Sequence, residues 1–301
     1  MSAGTAFVNS EEVTTGLAEL VDHVLERLAE EGMSKTRLAE DWTALGGLDD
    51  DEKTFCATAA RLGVDPFSLN DQLAREIIEV AGSLPVDLAI EFFDNADPTS
   101  LVKAAEWTRR ASKVATRASA RGRDLKELYG AVSSDAEKAR NAVDRSWEAG
   151  YAMARRVRHE LAVSDTNSFD VLPWLALGEV RVDSGGVQGV AVVDESRCGL
   201  VLGSLRLSKQ SRLFAQARAL GRALVRSGRR SFLLSAARSR DERVARAFAA
   251  ELLAPAEGIR EFLDVLGKQD DAALEAVARH FDVSPLLVRH QYDNQLAHTS
   301  S

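Results

Sequence analysis

The chain is expected to fold as α+β, mainly α. Apolar residues recur at helical spacing through most of its first half, and two alanine-rich stretches, 214–224 and 246–255, continue that pattern. Hydrophobic residues make up 45% of the 301, which is ordinary for a globular protein and enough to bury an ample core in two or three domains. Three short stretches in the middle of the chain are expected to add a small sheet.

The N-terminal elements follow in order. Val13 to Glu31 carries apolar residues at helical spacing, and Gly32 stops it. Ser34 is placed to cap a helix beginning Lys-Thr-Arg-Leu-Ala-Glu40, which resembles the second helix of a helix-turn-helix. Asp49-Asp-Asp-Glu52 caps and charges the start of a helix over Lys53 to Leu62. Gly63-Val-Asp-Pro66 breaks it, and Pro66 suits the first turn of the next. Ser83-Leu84-Pro85 and Ala96-Asp97-Pro98 are further breaks. Long helical patterns run over Thr99 to Ala118 and Asp135 to Ala162, with Trp107 and Trp147 on their apolar sides. Between them Ser119-Ala-Arg-Gly-Arg-Asp124 reads as a hinge. Gly185-Gly186 and Gly199 read as turn glycines beside strands.

Composition narrows the setting. The first ten residues lack the basic start and apolar run of a signal peptide, and no apolar stretch nears a membrane span. Two cysteines in the whole chain suit a reducing cytoplasm, where Cys56 beside Phe55 packs as a small hydrophobe. The Arg/Ala/Val/Asp bias resembles that of a high-GC bacterium. No phosphate loop or nucleophile constellation stands out, and no cofactor is expected.

The net charge of −8 hides an asymmetry. Residues 1–60 hold 13 acids against 4 bases, whereas residues 209–246, from Lys209 to Arg246 and including Arg238, hold 11 bases against Asp241 and Glu242. An acidic partner for the second segment is implied. Arg218, Arg222 and Arg226 are spaced to share one helical stripe, and Arg212, Arg229 and Arg230 extend the basic zone.

The residues around that stripe carry a family resemblance. Phe214-Ala-Gln-Ala-Arg-Ala-Leu-Gly-Arg-Ala-Leu224, followed by Arg246-Ala-Phe-Ala-Ala-Glu-Leu-Leu-Ala-Pro255, resembles the two motif helices of the ImmA/IrrE metallopeptidases. The family's zinc helix runs roughly Phe-x-x-Ala-His-Glu-Leu-Gly-His, and its next helix carries Phe-Ala-x-x-Leu-Leu-x-Pro. The likeness spans about residues 148–265. It implies an entry helix, loop and first strand over 150–182 and further strands at 187–193 and 199–203. Val180, Val182, Val190, Val192, Leu200 and Leu202 would then form the buried face of a three-stranded sheet.

The resemblance also implies a lost site. Arg218 and Arg222 stand where the family has its two histidine ligands, and Ala219 stands where it has the general base. Zinc needs lone pairs from Cys, His or carboxylates, and a permanently protonated guanidinium offers none. The third ligand falls near Glu242, although the register also allows Val244. His159-Glu160-Leu-Ala-Val163 begins like a zinc helix but has Val163 for the second histidine. His23, His280, His290 and His298 show no ligand spacing.

Three readings fit the arginine stripe. It is a solvated face with local ion pairs, a structural replacement for the metal paired with Glu242 or Glu251, or an anion-binding cleft. At the C-terminus, Ala272 to His290 resembles a helix-turn-helix, and Ala278 to Pro285 echoes Ala60 to Pro66. Arg289, His290, Gln291, Asn294 and Gln295 would be its base-reading residues, but Asp282 and Asp293 oppose phosphate.

The expected organisation is a helical domain over 1–120, partly helix-turn-helix-like, a linking helix or hinge over 121–147, the degenerate peptidase-like domain over 148–265 and a helical extension over 266–301. The expected function is regulatory and non-catalytic. It acts by binding a partner protein, or the chain's own acidic N-terminal domain, in a bacterial stress- or phage-related system. A DNA-binding regulator and a zinc peptidase with an unrecognised site, drawing for example on His23, are the alternatives. Neither a membrane nor a resident metal is expected.

Overall fold

The computed structural model describes residues 10–141, 145–203, 207–226, 228–236 and 239–297. Arg238, His298 and the 142–144 stretch of the long helical pattern lie outside the described residues. The fold is α+β and mainly α, with a small mixed sheet. No helix among the described residues is long and apolar enough to cross a membrane.

The first half is helical: α1 (Ser10–Glu30), α2 (Arg37–Gly46), α3 (Asp50–Arg61), α4 (Asp71–Ser83), α5 (Val86–Phe93) and α6 (Leu101–Ser119). Local chemistry sets the ends. Gly32 and Gly63 both take a left-handed φ of 76°, a conformation open to glycine at little cost. Asp49 and Glu52 close a reciprocal capping box on α3. Two expected starts move. Thr36, not Ser34, caps α2 by accepting from the Ala39 N–H. Pro66 opens no helix: Asp65 accepts from the Phe67 N–H and the Ser68 hydroxyl to form a local turn, and α4 starts later, capped by Asn70.

Two helices, α7 (Lys126–Asn141) and α8 (Ser146–Glu160), then cover most of the second long pattern. Trp107 is fully buried on α6, but Trp147 on α8 is partly exposed at the wall of a groove, contrary to its expected place on an apolar side. The second half continues with β1 (Leu175–Gly178), β2 (Gly189–Asp194), β3 (Arg197–Leu202), α9 (Lys209–Val225), β4 (Arg230–Leu234) and α10 (Arg240–Leu253). Helices α11 (Ala256–Leu266), α12 (Asp271–Phe281) and α13 (Pro285–Gln291) close the chain, with a π turn over Tyr292–Leu296.

The sheet has four strands in the order β1-β3-β2-β4, not three. β4 falls between the two motif helices, in a basic segment where no strand was expected. Strand β1 comes earlier than expected, so Val180 lies in the following loop against the core and Val182 is exposed.

Both faces of the sheet are buried rather than one. Val190, Val192, Val201 and Leu233 share a cluster with Leu101, Ala111 and Ala115 of α6. Ala191, Val193, Leu200, Phe232 and Leu234 share the other with α7 to α10. The period-two alternation therefore separates two cores rather than core from water. Gly199 sits mid-strand and not at a turn: a Cβ there would lie 1.9 Å from the Ala115 carbonyl oxygen of α6. Gly221 plays the same part on the opposite layer, where a Cβ would lie 2.6 Å from the Phe248 ring, so α9 and α10 approach closely.

Candidate functional site

Helix α9 enters the interior as it runs. From Gln216 to Val225 every residue is buried, which places Arg218, Ala219 and Arg222 inside the protein. Ala219 packs in the larger core cluster. Arg218 and Arg222 keep only 8% of their side chains exposed, and Glu242 of α10 keeps 1%. Charged groups this deep need counter-ions and hydrogen-bond partners.

Their counter-charges and most of their hydrogen bonds lie along the β4 edge of the sheet, with Arg218 Nε left buried without a partner. Arg218 Nη2 lies 2.5 Å from Glu242 Oε2 and 2.6 Å from the Ser235 carbonyl oxygen, and its Nη1 donates to Gln188 at 3.1 Å. Arg222 donates to the Leu233 carbonyl at 2.6 Å, lies 2.5 Å from Glu91 Oε1 of α5, and stands 3.6 Å from Glu242 and 3.8 Å from Asp241. The Ser235 N–H donates to Glu242 at 3.0 Å, the Leu233 N–H to Glu91 at 2.8 Å and the Ser231 N–H to Asp87 at 2.5 Å. Carboxylates and guanidiniums thus take the outward backbone groups of residues 231, 233 and 235 where another strand would pair. Burial disfavours the Arg222 charge, but Glu91, Glu242 and Asp241 outweigh it and hold its pKa above the ordinary arginine value.

The six candidate arginines do not form one stripe. Helix α9 ends at Val225, and Arg226 turns into extended backbone at φ −139° and is exposed. Arg222, Arg226 and Arg230 line a cleft of about 170 Å³, which Asp87, Glu91 and Asp241 share, so its charge is balanced. Arg230 folds back to donate to the carbonyls of Arg222 and Ala223 at the end of α9 and sits over the Phe232 ring. Burial pulls its pKa down to about 10, against smaller opposing effects of Tyr129 and Cys198. Arg229 pairs with Asp194, and Arg212 is exposed near the start of α9.

Of the two positions weighed for the third ligand, Glu242 meets both arginines and Val244 is buried in the core. Glu251 is equally buried but belongs to a second site, where it accepts from Arg155 at 2.8 Å, Gln291 at 2.9 Å and Gln295 at 2.8 Å. Gln291 is therefore a core residue, and Arg289 pairs with Asp271, which takes both from the set expected to read bases. His159 is exposed at the end of α8, and His23 lies exposed on α1 with its Nδ1 2.6 Å from the Glu19 carbonyl oxygen. Among the described residues, no group of three or more His, Cys, Asp or Glu side chains is arranged to hold a metal ion.

Asp87 and Glu91 were not singled out from the sequence. They carried one signal: acids four apart in the otherwise apolar α5, Val-Asp-Leu-Ala-Ile-Glu-Phe-Phe, which place two carboxylates on one face of a helix that packs in the core. Beside the cluster, Arg218 also borders a groove of about 500 Å³. Its walls are Val187, Phe214, Leu253 and Leu287, with Gln188 and His290 as polar points. Phe214, Leu287 and His290 also border a second groove of about 650 Å³ that reaches Trp147 and Tyr151. Neither protein-family models nor curated proteins give a match to this chain.

Proposed function

We propose that this chain is a non-catalytic, ImmA/IrrE-like regulatory protein that acts by binding a partner protein, and that the family's metal site has become an internal ion-pair lock. One observation carries the reading. Arg218 and Arg222, at the two aligned histidine positions, are buried and paired with Glu242, and Ala219 stands where the base would be. Guanidinium supplies the positive charge that zinc would bring, but no Lewis acidity and no open coordination position.

Binding is assigned to the two grooves rather than to the arginines, whose terminal guanidinium nitrogens are already engaged by Glu91, Glu242 and the carbonyls of Leu233 and Ser235. Their apolar walls with a few polar points suit a partner's side chains. The acidic N-terminal half takes part internally through Asp87 and Glu91 of α5.

Metal content tests the lock. Elemental mass spectrometry of the purified, untagged protein is expected to give well under one equivalent of tight zinc, with no change in Tm on adding zinc or chelator. Near-stoichiometric zinc with a raised Tm would return the chain to the active peptidases. Partner binding is tested by capture with wild type and with Phe214→Asp and Leu287→Asp, at half-buried groove positions. A partner retained at full strength by both would sink the groove assignment.

A further inference from the structure

Helix α6 and the turn after it are basic in a chain whose net charge is −8: residues 101–123 hold seven bases and one acid. Four of the bases recur at every fourth position, Arg109, Lys113, Arg117 and Arg121. One face of the helix, with Leu101, Ala104, Trp107, Ala111 and Ala115, is buried in the core, and the four cations cross the opposite, exposed face. Arg121 follows the helix end, where its N–H donates to the Ala118 carbonyl and continues the turn. At the helical rise, neighbouring cations are about 6 Å apart along the axis and the row is about 18 Å long.

The protein supplies no counter-charge to this row. Among the described residues none of the four stands in an ion pair, and the acids on and around the helix are held by other bases: Glu106 by Arg110, Asp183 by Lys103, Glu179 by Arg181 and Asp124 by Lys126. Like charges four apart on a helix repel, so the row weakens α6 rather than supporting it. The dipole at the C-terminal end of α6 accounts for Arg117 and Arg121, but it fades within the last turn, and Arg109 and Lys113 lie before that turn. A local rule broken with no gain inside the fold points to a functional surface.

The chemistry of the face selects the partner. Trp107 is buried and Trp174 lies under the Arg123 guanidinium, so neither ring is placed to stack on an unpaired base. Val102, in the first turn, is the one large apolar side chain exposed on α6, which leaves the row without the apolar anchors on which protein interfaces depend. What remains is regularly spaced positive charge. Along each strand of a duplex a phosphate recurs about every 3.4 Å of axis, so the row spans about five of them.

We infer that α6 is a docking surface for the phosphate backbone of double-stranded nucleic acid, held through Arg109, Lys113, Arg117 and Arg121 without reading of bases. The inference rests neither on the grooves nor on the ion-pair lock. Fluorescence anisotropy of the full chain with two labelled duplexes of unrelated sequence is expected to give equal binding to both. Four phosphate contacts correspond to a log–log slope against salt of about −3 to −4, or roughly a hundredfold loss of affinity between 50 and 200 mM. Lys113→Gln/Arg117→Gln should bring that slope to about half, with Tm held or raised because like charges are relieved. Lys35→Gln/Lys268→Gln, which removes the same charge at exposed positions elsewhere, should leave the slope alone. Absence of salt-dependent binding, or a slope that Lys113→Gln/Arg117→Gln does not lower, overturns the inference. So does a clear preference for one of the two sequences, or tighter binding to single strands. Binding of polyglutamate without binding of the duplexes also overturns it and gives the row to an acidic protein.

Discussion

Glu242 and Glu251 stand near opposite ends of α10, equally buried and both paired with arginine, yet the two sites are built differently. Around Glu242 the guanidiniums of Arg218 and Arg222 are themselves inside the protein. Around Glu251 the guanidinium belongs to Arg155, which is 56% exposed, and two glutamine amides and the Ala256 N–H supply the remaining donors. One end of the helix encloses a set of buried charges, in which removing Glu242 strands two guanidiniums. The other end is a neutral cradle with a solvent-screened cation at its mouth. Equal burial of two carboxylates therefore says little until the exposure of their partners is known.

The sharpest way to break the contrast is at Glu242. Glu242→Ala leaves two guanidiniums buried without their shared counter-ion and should cost about 3–5 kcal/mol in urea unfolding. Removing charge from both sides, as Arg218→Met/Glu242→Met, should cost far less than the sum of the single changes, and additivity would refute a coupled lock. Next in size is Glu91→Ala, which opens the lock from the α5 side. It strands the Leu233 N–H and should cost about 1–3 kcal/mol, with hydrogen exchange accelerated at Leu233 and Ser231. Arg155→Ala should cost about 1 kcal/mol or less, because Glu251 keeps its amide donors and the lost pair is screened.

The smallest expected effect uses Cys198, in the core on the α9 and α10 side of the sheet, as a reporter. Burial pushes its thiol pKa up to about 12, so it stays protonated in the folded protein. A raised folded pKa contributes stability that is complete below the unfolded thiol value of about 8.5 and is lost as pH rises through about 12. Alkaline unfolding should therefore lose part of its slope in Cys198→Ala. A thiol reagent should label Cys56 first in the wild type and reach Cys198 early in Glu242→Ala but not in Arg155→Ala.

Much of the frame was legible in the sequence because it rests on local signals. The capping box at Asp49, the glycine stops at Gly32 and Gly63 and the helices of the first half need only their near neighbours. The arginine spacing put Arg218 and Arg222 on one helical stripe but did not decide between a solvated and a buried face; the structure buries both. The spacing misplaced Arg226, because the end of α9 is set by the chain leaving for β4 and by Arg230 capping the helix, neither of which helical periodicity encodes. β4 itself was invisible as a five-residue strand whose first residues are basic and polar. The inward turn of Asp87 and Glu91 depends on a strand more than 140 positions away.

That separation has a consequence for biosynthesis. Strand β4 is made long after α5, and its outward backbone groups find their partners only when the two halves of the chain meet across 142–144 residues. Until then a ribosome-bound or refolding chain would carry a sheet with one raw margin and Arg222 without Glu91. Assembly should therefore end with an electrostatic closing step, slow because its contacts are distant in sequence and exposed to misassociation while it waits.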